Sequence, residues 1–64
     1  MSATSAELSS MAATIEELIR RLTPIADTYT AAHREDLVAD VQEVERALTG
    51  AFRRLNRLAT TPGA

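Results

Sequence analysis

The sequence has no cysteine, only two glycines and two prolines, and only two aromatic residues, Tyr29 and Phe52. Without a thiol, disulfide bonds, thiolate nucleophiles and zinc–thiolate sites are excluded. Two glycines cannot form a glycine-rich loop that binds phosphate groups. The scarcity of aromatic residues, together with 12 alanines among 64 residues, favours an all-α protein over a β-sandwich or a barrel.

Lysine is also absent, and no long hydrophobic run is present. Seven arginines against nine acidic residues give a net charge of −2, which argues against nucleic acid or anionic lipid binding over the whole surface. No apolar stretch approaches the roughly 20 residues of a membrane span. The beginning of the sequence has neither the basic region nor the hydrophobic run of a secretory signal. We therefore expect a cytoplasmic protein that does not contact a membrane.

Large apolar residues recur at alternating spacings of three and four in both halves of the chain, which is the heptad pattern of packed helices. The heptad a positions are Leu8, Ile15, Leu22, Tyr29, Val41, Leu48 and Leu55. The d positions are Met11, Leu18, Ile25, Leu37, Val44, Ala51 and Leu58. Each half of the chain is therefore predicted to form a helix with an apolar stripe.

The two apolar patterns are mirror images of each other about His33. Leu8 and Leu58 lie equally far from this residue, and so do Leu18 and Leu48. Each mirrored pair joins an a position to a d position, which is how antiparallel helices pack in layers. The fold predicted from this order is an antiparallel helical hairpin of the coiled-coil type.

The predicted hairpin is a single domain over residues 1–64. Helix one is expected at about 5–32, the turn at about 31–35, helix two at about 35–59, and a flexible tail at 60–64. A single long helix that pairs antiparallel with a second copy would give the same mirror order. That arrangement is the alternative to the hairpin.

The dipeptide Thr23-Pro24 is the one local signal that interrupts helix one. Threonine followed by proline is typical of a helix start, so this site predicts either a break or a kink. The apolar pattern passes through it without losing phase, and Pro24 falls on the outward side. A kink within one continuous helix satisfies both observations.

The heptad e positions form a second apolar row beside the a positions, and only Glu45 interrupts it. These residues are Ala12, Ile19, Ala26, Val38, Phe52 and Ala59. In an antiparallel pair the e positions of both helices lie on the same side, so a lone hairpin packed through its a and d positions leaves this row exposed. We expect these six residues to bind a partner, either a second copy that completes a four-helix bundle or a larger protein.

Residues that could carry catalysis or bind a metal are few and poorly placed. His33 is the only histidine, and Asp36 is its nearest companion at helical spacing. The acidic pairs Glu16-Glu17 and Glu35-Asp36 are adjacent in sequence, so their side chains point apart on a helix. We therefore expect no enzymatic activity, no metal or other cofactor, and no small-molecule substrate.

A cluster of arginines gives helix two a basic end. Residues 46–64 contain four arginines and no acidic residue, whereas residues 1–45 contain three arginines and nine acidic residues. The four are Arg46, Arg53, Arg54 and Arg57. They complement the helix dipole, and they could also contact an acidic protein or nucleic acid.

Two functions follow from these patterns. The first is a non-enzymatic helical interaction module, a small homo-oligomerising or adaptor subunit that binds through its apolar flank. The alternative is a small regulator that binds nucleic acid or an acidic protein through the arginines. Nucleic acid is the weaker choice, because no aromatic residue lies among the arginines to stack on bases.

Overall fold

The computed structural model describes residues 3–63 and shows two α-helices that pack against each other as a hairpin. Helix α1 spans Ala3–Ala31 and helix α2 spans Glu35–Thr60. The predicted all-α helical hairpin is thus confirmed, and the chain does not form one long helix. Both helices end within about two residues of the expected positions. The expected tail reaches Ala64, which lies outside the described residues.

Helix α1 continues through Thr23-Pro24 without a break. Proline has no backbone N–H, so the carbonyl of Arg20 receives no helical hydrogen bond from position 24. The hydroxyl of Thr28 donates a hydrogen bond to the carbonyl oxygen of Pro24 at 3.0 Å. Pro24 is exposed, so its ring lies on the solvent side of the helix. Packing of α1 along α2 outweighs the local preference for a helix start at this dipeptide.

The turn between the helices is a Schellman motif centred on His33. The amide of Arg34 donates to the carbonyl oxygen of Tyr29 at 3.0 Å, and the amide of His33 donates to that of Thr30 at 3.1 Å. His33 has φ +57°, a left-handed conformation in which glycine is the usual residue. The centre of the mirror pattern and the reversal of the chain therefore fall on the same residue.

Arg34 is the N-cap residue of α2, and both its backbone carbonyl and its guanidinium form hydrogen bonds to residues of the first turn. Its carbonyl oxygen accepts hydrogen bonds from the amides of Leu37 and Val38 at 3.1 and 3.0 Å. Its guanidinium donates two hydrogen bonds to the carboxylate of Asp36, at 3.1 and 2.9 Å. This pairing lowers the pKa of Asp36 below its ordinary value of 3.8 and keeps a negative charge in the first turn of α2.

The hairpin is thin and has almost no interior. Its Cα extents are 48 × 14 × 9 Å. Among residues 3–63, Ala12 and Val41 are the only buried hydrophobic residues, and no large side chain there is fully buried. The radius of gyration is 14.9 Å, whereas a compact domain of this length has about 11 Å. The two helices therefore bury little apolar surface against each other.

The a and e positions are the least exposed side of α1. Ser5 and Ala12 are buried at e positions, and every a position from Leu8 to Tyr29 is at most partly exposed. In α2 the buried residue is Val41, at an a position. The d positions of α1, which were expected to lie between the helices, are more exposed to solvent than the a and e positions of α1. Three of the four e residues of α1 are small, namely Ser5, Ala12 and Ala26, and small residues allow two helices to approach closely on that side.

No helix within residues 3–63 has the length and apolar character that crossing a membrane requires.

Candidate docking surface

One heptad position supplies all the large hydrophobic residues that remain exposed in the described part of the chain. They are exposed by 39 to 50% and all occupy d positions: Met11, Leu18, Ile25, Val44 and Leu58. The three on α1 follow each other at intervals of seven residues, or about 10 Å along the helix. They form a continuous apolar stripe, which we call the d face together with the remaining d residues, Leu37 and Ala51.

The two broad faces of the hairpin differ sharply in polarity. With the a and e positions between the helices, the d positions lie about 80° to one side and the b positions about 80° to the other. The b positions are all polar: Ser9, Glu16, Thr23, Thr30, Glu35, Gln42, Thr49 and Asn56. The d positions from Met11 to Leu58 are all apolar. One face is thus suited to solvent and the other to a partner.

A groove of about 400 Å³ crosses the middle of the d face. It is lined by Leu18, Arg21, Leu22 and Ile25 of α1 and by Val44 and Leu48 of α2. Residues of both helices share it, so the d positions of α1 and α2 lie on the same side of the hairpin. Arg21 is the only charged residue in the lining of this groove.

The six predicted partner-binding residues lie closer to the helix–helix contact than expected. Ala12 is 2% exposed. The other five, Ile19, Ala26, Val38, Phe52 and Ala59, are partly exposed. They form one row, but this row is not the most exposed apolar surface of the hairpin. Their role in binding a partner stays a prediction, since no second chain is described.

The four arginines are all exposed on α2 but differ in their ion pairs. Arg46 pairs with Glu43 one turn away. No ion pair is observed between the guanidinium groups of Arg53, Arg54 or Arg57 and an acidic group within residues 3–63. By contrast, Arg20 is held by Glu16 and Glu17 on α1, which raises its pKa. The last two turns of α2 therefore carry three cations open to solvent.

A small-residue groove of about 470 Å³ runs along α2 beside the d face. Ala47, Gly50 and Ala51 form its floor, and Arg46, Arg54 and Leu55 complete its lining. A Cβ added at Gly50 would meet no atom within 4 Å, so the space above this residue is open.

Acidic residues and the lone histidine do not gather into a site. Within residues 3–63, no three His, Cys, Asp or Glu side chains lie close enough to hold a metal ion. His33 lies exposed in the turn. Asp36, its nearest companion in sequence, is held by Arg34. These side chains act in the local structure of the turn.

The sequence pattern contained the d face but did not identify it as the exposed one. Both d and e positions are apolar, and either can pack beside a, so periodicity alone leaves the rotation of the helices open. The sequence signal for this rotation is the small side chains of Ser5, Ala12 and Ala26, which follow each other at intervals of seven and fourteen residues. Small residues repeated at this interval favour a close helix–helix contact on their own side.

No protein-family model matches this chain, and no curated protein or solved structure shows significant similarity to it. Its function is therefore inferred from its own surface.

Proposed function

We propose that this protein is a non-enzymatic helical interaction module, a small homo-oligomerising or adaptor subunit that packs its d face against helices of a partner. The main observation in support is that all five large hydrophobic residues exposed within residues 3–63 lie on this one face. The opposite face is polar along its whole length. Such an asymmetry is typical of a helix pair that is one half of a bundle.

The energetics of the lone hairpin support the same proposal. Burying a large aliphatic side chain completely contributes about 1.5–3 kcal/mol, so covering the exposed half of one contributes about 1 kcal/mol. Five such side chains then contribute about 5 kcal/mol, which equals the whole stability of many small domains. Within residues 3–63 only two hydrophobic residues, Ala12 and Val41, are buried, and the other apolar residues between the helices remain partly exposed. A partner on the d face supplies what the hairpin lacks.

The proposal is tested by thermal unfolding of the purified chain over a hundredfold range of concentration, followed by far-ultraviolet circular dichroism. A module completed by further copies of itself shows a Tm that rises with concentration, by mass action. A module completed by another protein is marginally stable at every concentration. A high Tm that does not change with concentration contradicts the proposal, because the hairpin would then be stable without a partner.

A second candidate function is supported by the cations at the end of α2. Arg53, Arg54 and Arg57 are exposed, and no ion pair to them is observed within residues 3–63. Three neighbouring guanidinium groups can bind carboxylates or phosphates through charge-assisted hydrogen bonds. We propose an acidic protein surface as their target if they bind a partner, with nucleic acid as the weaker choice.

The second candidate is tested with a 20-base-pair DNA duplex and with a polyglutamate peptide, each at two salt concentrations. Binding to polyglutamate that weakens with salt and is lost in Arg53→Ser/Arg57→Ser supports it. If the protein binds neither probe at low salt, the result contradicts this second function. The control variant Arg20→Ser removes an arginine that is already paired on α1.

A further inference from the structure

The polar b face limits how many partners the hairpin can take. Only one broad face is apolar, so a partner that covers the d face leaves nothing apolar for the next one on the other side. A self-complementary face of this kind closes into a two-fold dimer instead of growing into a filament. The surface therefore fits one occupant.

The size of the d face suits a stable dimer. The broad side of the Cα envelope measures 48 by 14 Å, a projected area of roughly 700 Å². This is of the same order as the about 800 Å² of accessible surface that a standard specific interface buries on each partner. Five large hydrophobic residues at 39 to 50% exposure supply its apolar centre. A second hairpin has the matching length and width, so it covers the face from end to end.

Side-chain size differs between the two halves of the face. On α1 the exposed d positions are all large: Met11, Leu18 and Ile25. On α2 the d position in the middle of the face is the small Ala51, which lies between Val44 and Leu58. Helices of unequal bulk pack evenly when the bulky one lies on the small one. The large d residues of α1 in one copy therefore fit beside Ala51 of α2 in the other, and a two-fold dimer makes this contact twice.

That pairing requires both turns to lie at the same end of the dimer. Residues of α1 and α2 that are level with each other in the hairpin have numbers that sum to about 66, because Ala31 and Glu35 flank the turn symmetrically. A two-fold axis parallel to the helices leaves the position of each residue along the long axis of the hairpin unchanged in the second copy. Leu18 of one copy then lies near residues 47–51 of the other, which is where the small-residue groove is.

Charges beside the d face agree with this stacking. Glu7 and Arg21 lie at g positions of α1, and Asp40 and Arg54 lie at g positions of α2. With both turns at the same end, Glu7 lies within about 8 Å of Arg54 of the other copy along the axis, and Arg21 within about 8 Å of Asp40. Extended arginine side chains span this distance. Each two-fold dimer then gains four pairs of opposite charge.

We propose that the occupant of the d face is a second copy of this chain, which forms an antiparallel four-helix bundle with α1 over α2 of the other copy and both turns at one end. The inference rests on the proposed function and adds to it the identity of the partner. The charges favour this direction of stacking, because turns at opposite ends leave only the pair of Asp40 and Arg54 within about 8 Å along the axis, formed twice in each dimer, whereas turns at one end give four pairs.

The test combines sedimentation equilibrium with a distance measurement. The chain has no cysteine, so Ala32→Cys, which is exposed in the turn, takes a single spin label. Helices in a bundle lie about 8–10 Å apart, so the proposed dimer gives a label-to-label distance below about 25 Å. With turns at opposite ends, the labels lie almost one hairpin length apart, near 48 Å. Thr60→Cys, at the other end of α2, serves as the matched second site.

A dimer mass with short distances at both labelled sites supports the inference. A dimer with long distances at both sites overturns the stacking direction. A monomer at 200 μM overturns the second copy as occupant. The proposed function fails separately, and only if that monomer also unfolds at a high Tm that is independent of concentration.

A charge exchange provides a test that does not depend on labels. Arg54→Glu places a second acidic group opposite Glu7 and raises the dimer dissociation constant several-fold. The double variant Glu7→Arg/Arg54→Glu restores the opposite charges and recovers the wild-type constant in the proposed stacking. Failure of the double variant to recover it counts against this stacking.

Discussion

The amide of Arg34 donates to the carbonyl oxygen of Tyr29 at 3.0 Å, and this bond closes the turn around His33. His33 holds a left-handed φ of +57°, which costs a residue with a Cβ about 1 kcal/mol. His33→Gly removes this cost, so we expect the free energy of unfolding to rise by about 0.5–1 kcal/mol. Urea unfolding at a fixed protein concentration measures it. Destabilisation by His33→Gly would contradict the Schellman turn, and Ala32→Gly, which gains nothing, is the control.

The close contact of the two helices at Ala12 can be tested by substitution. Ala12 is 2% exposed, whereas its neighbour Ala13 is exposed. Ala12→Leu forces three extra carbon atoms into the helix–helix contact, and we expect a loss of about 1–3 kcal/mol of stability. Ala13→Leu places the same side chain in solvent and should change stability by less than about 0.5 kcal/mol. Equal effects of the two substitutions would show that the e positions do not face α2.

Pro24 lies in the interior of an uninterrupted helix. Its replacement tests whether α1 is continuous through this residue. Pro24→Ala restores a backbone N–H and relieves the clash of the ring with the preceding turn. We therefore expect stabilisation by about 1–3 kcal/mol and higher helicity in circular dichroism. Thr23→Ala, one residue earlier and also exposed, is the control. Lower stability of Pro24→Ala would instead indicate that the proline starts a separate helix, as its local sequence suggests.

The contact between Arg34 and Asp36 predicts a specific dependence on pH. Hydrogen bonds from the Arg34 guanidinium lower the pKa of Asp36 in the folded state. Its ionised form therefore adds stability above the pKa of the unfolded chain, and this contribution disappears as the pH falls through the lower folded pKa. Carboxyl carbon NMR titration of Asp36 in wild type and in Arg34→Ala measures the shift. An unchanged titration in Arg34→Ala would show that the contact does not form in solution.

The mirror order of apolar residues was sufficient to predict the hairpin and to centre its turn on His33, because chain reversal imposes that symmetry on any antiparallel pair. Periodicity could not predict the rotation of the helices about their own axes. The a positions, such as Leu22, pack in either rotation, and the choice between d and e depends on side-chain volume at Ser5 and Ala12. Volume acts through the distance between helix axes, which a hydrophobic pattern does not encode.

The exchange of roles between d and e positions also moves the candidate docking surface. With e turned towards the opposite helix, Phe52 is partly covered, and Ile25 and Val44 remain in solvent. The docking surface that we propose, the d face, therefore lies about 100° around each helix from the e positions expected from the sequence. A partner-binding variant must therefore be chosen by exposure in the folded hairpin.

The most direct measurement is sedimentation equilibrium of wild type, Ile25→Glu and the b-face control Thr23→Glu at matched concentrations. We expect wild type and Thr23→Glu to sediment at twice the 6.9 kDa chain mass and Ile25→Glu to sediment as a monomer, because a buried glutamate opposes the d-face interface. Wild-type mass for Ile25→Glu would contradict the d face as the docking surface. Dissociation by Phe52→Glu in that case would assign the interface to the e positions.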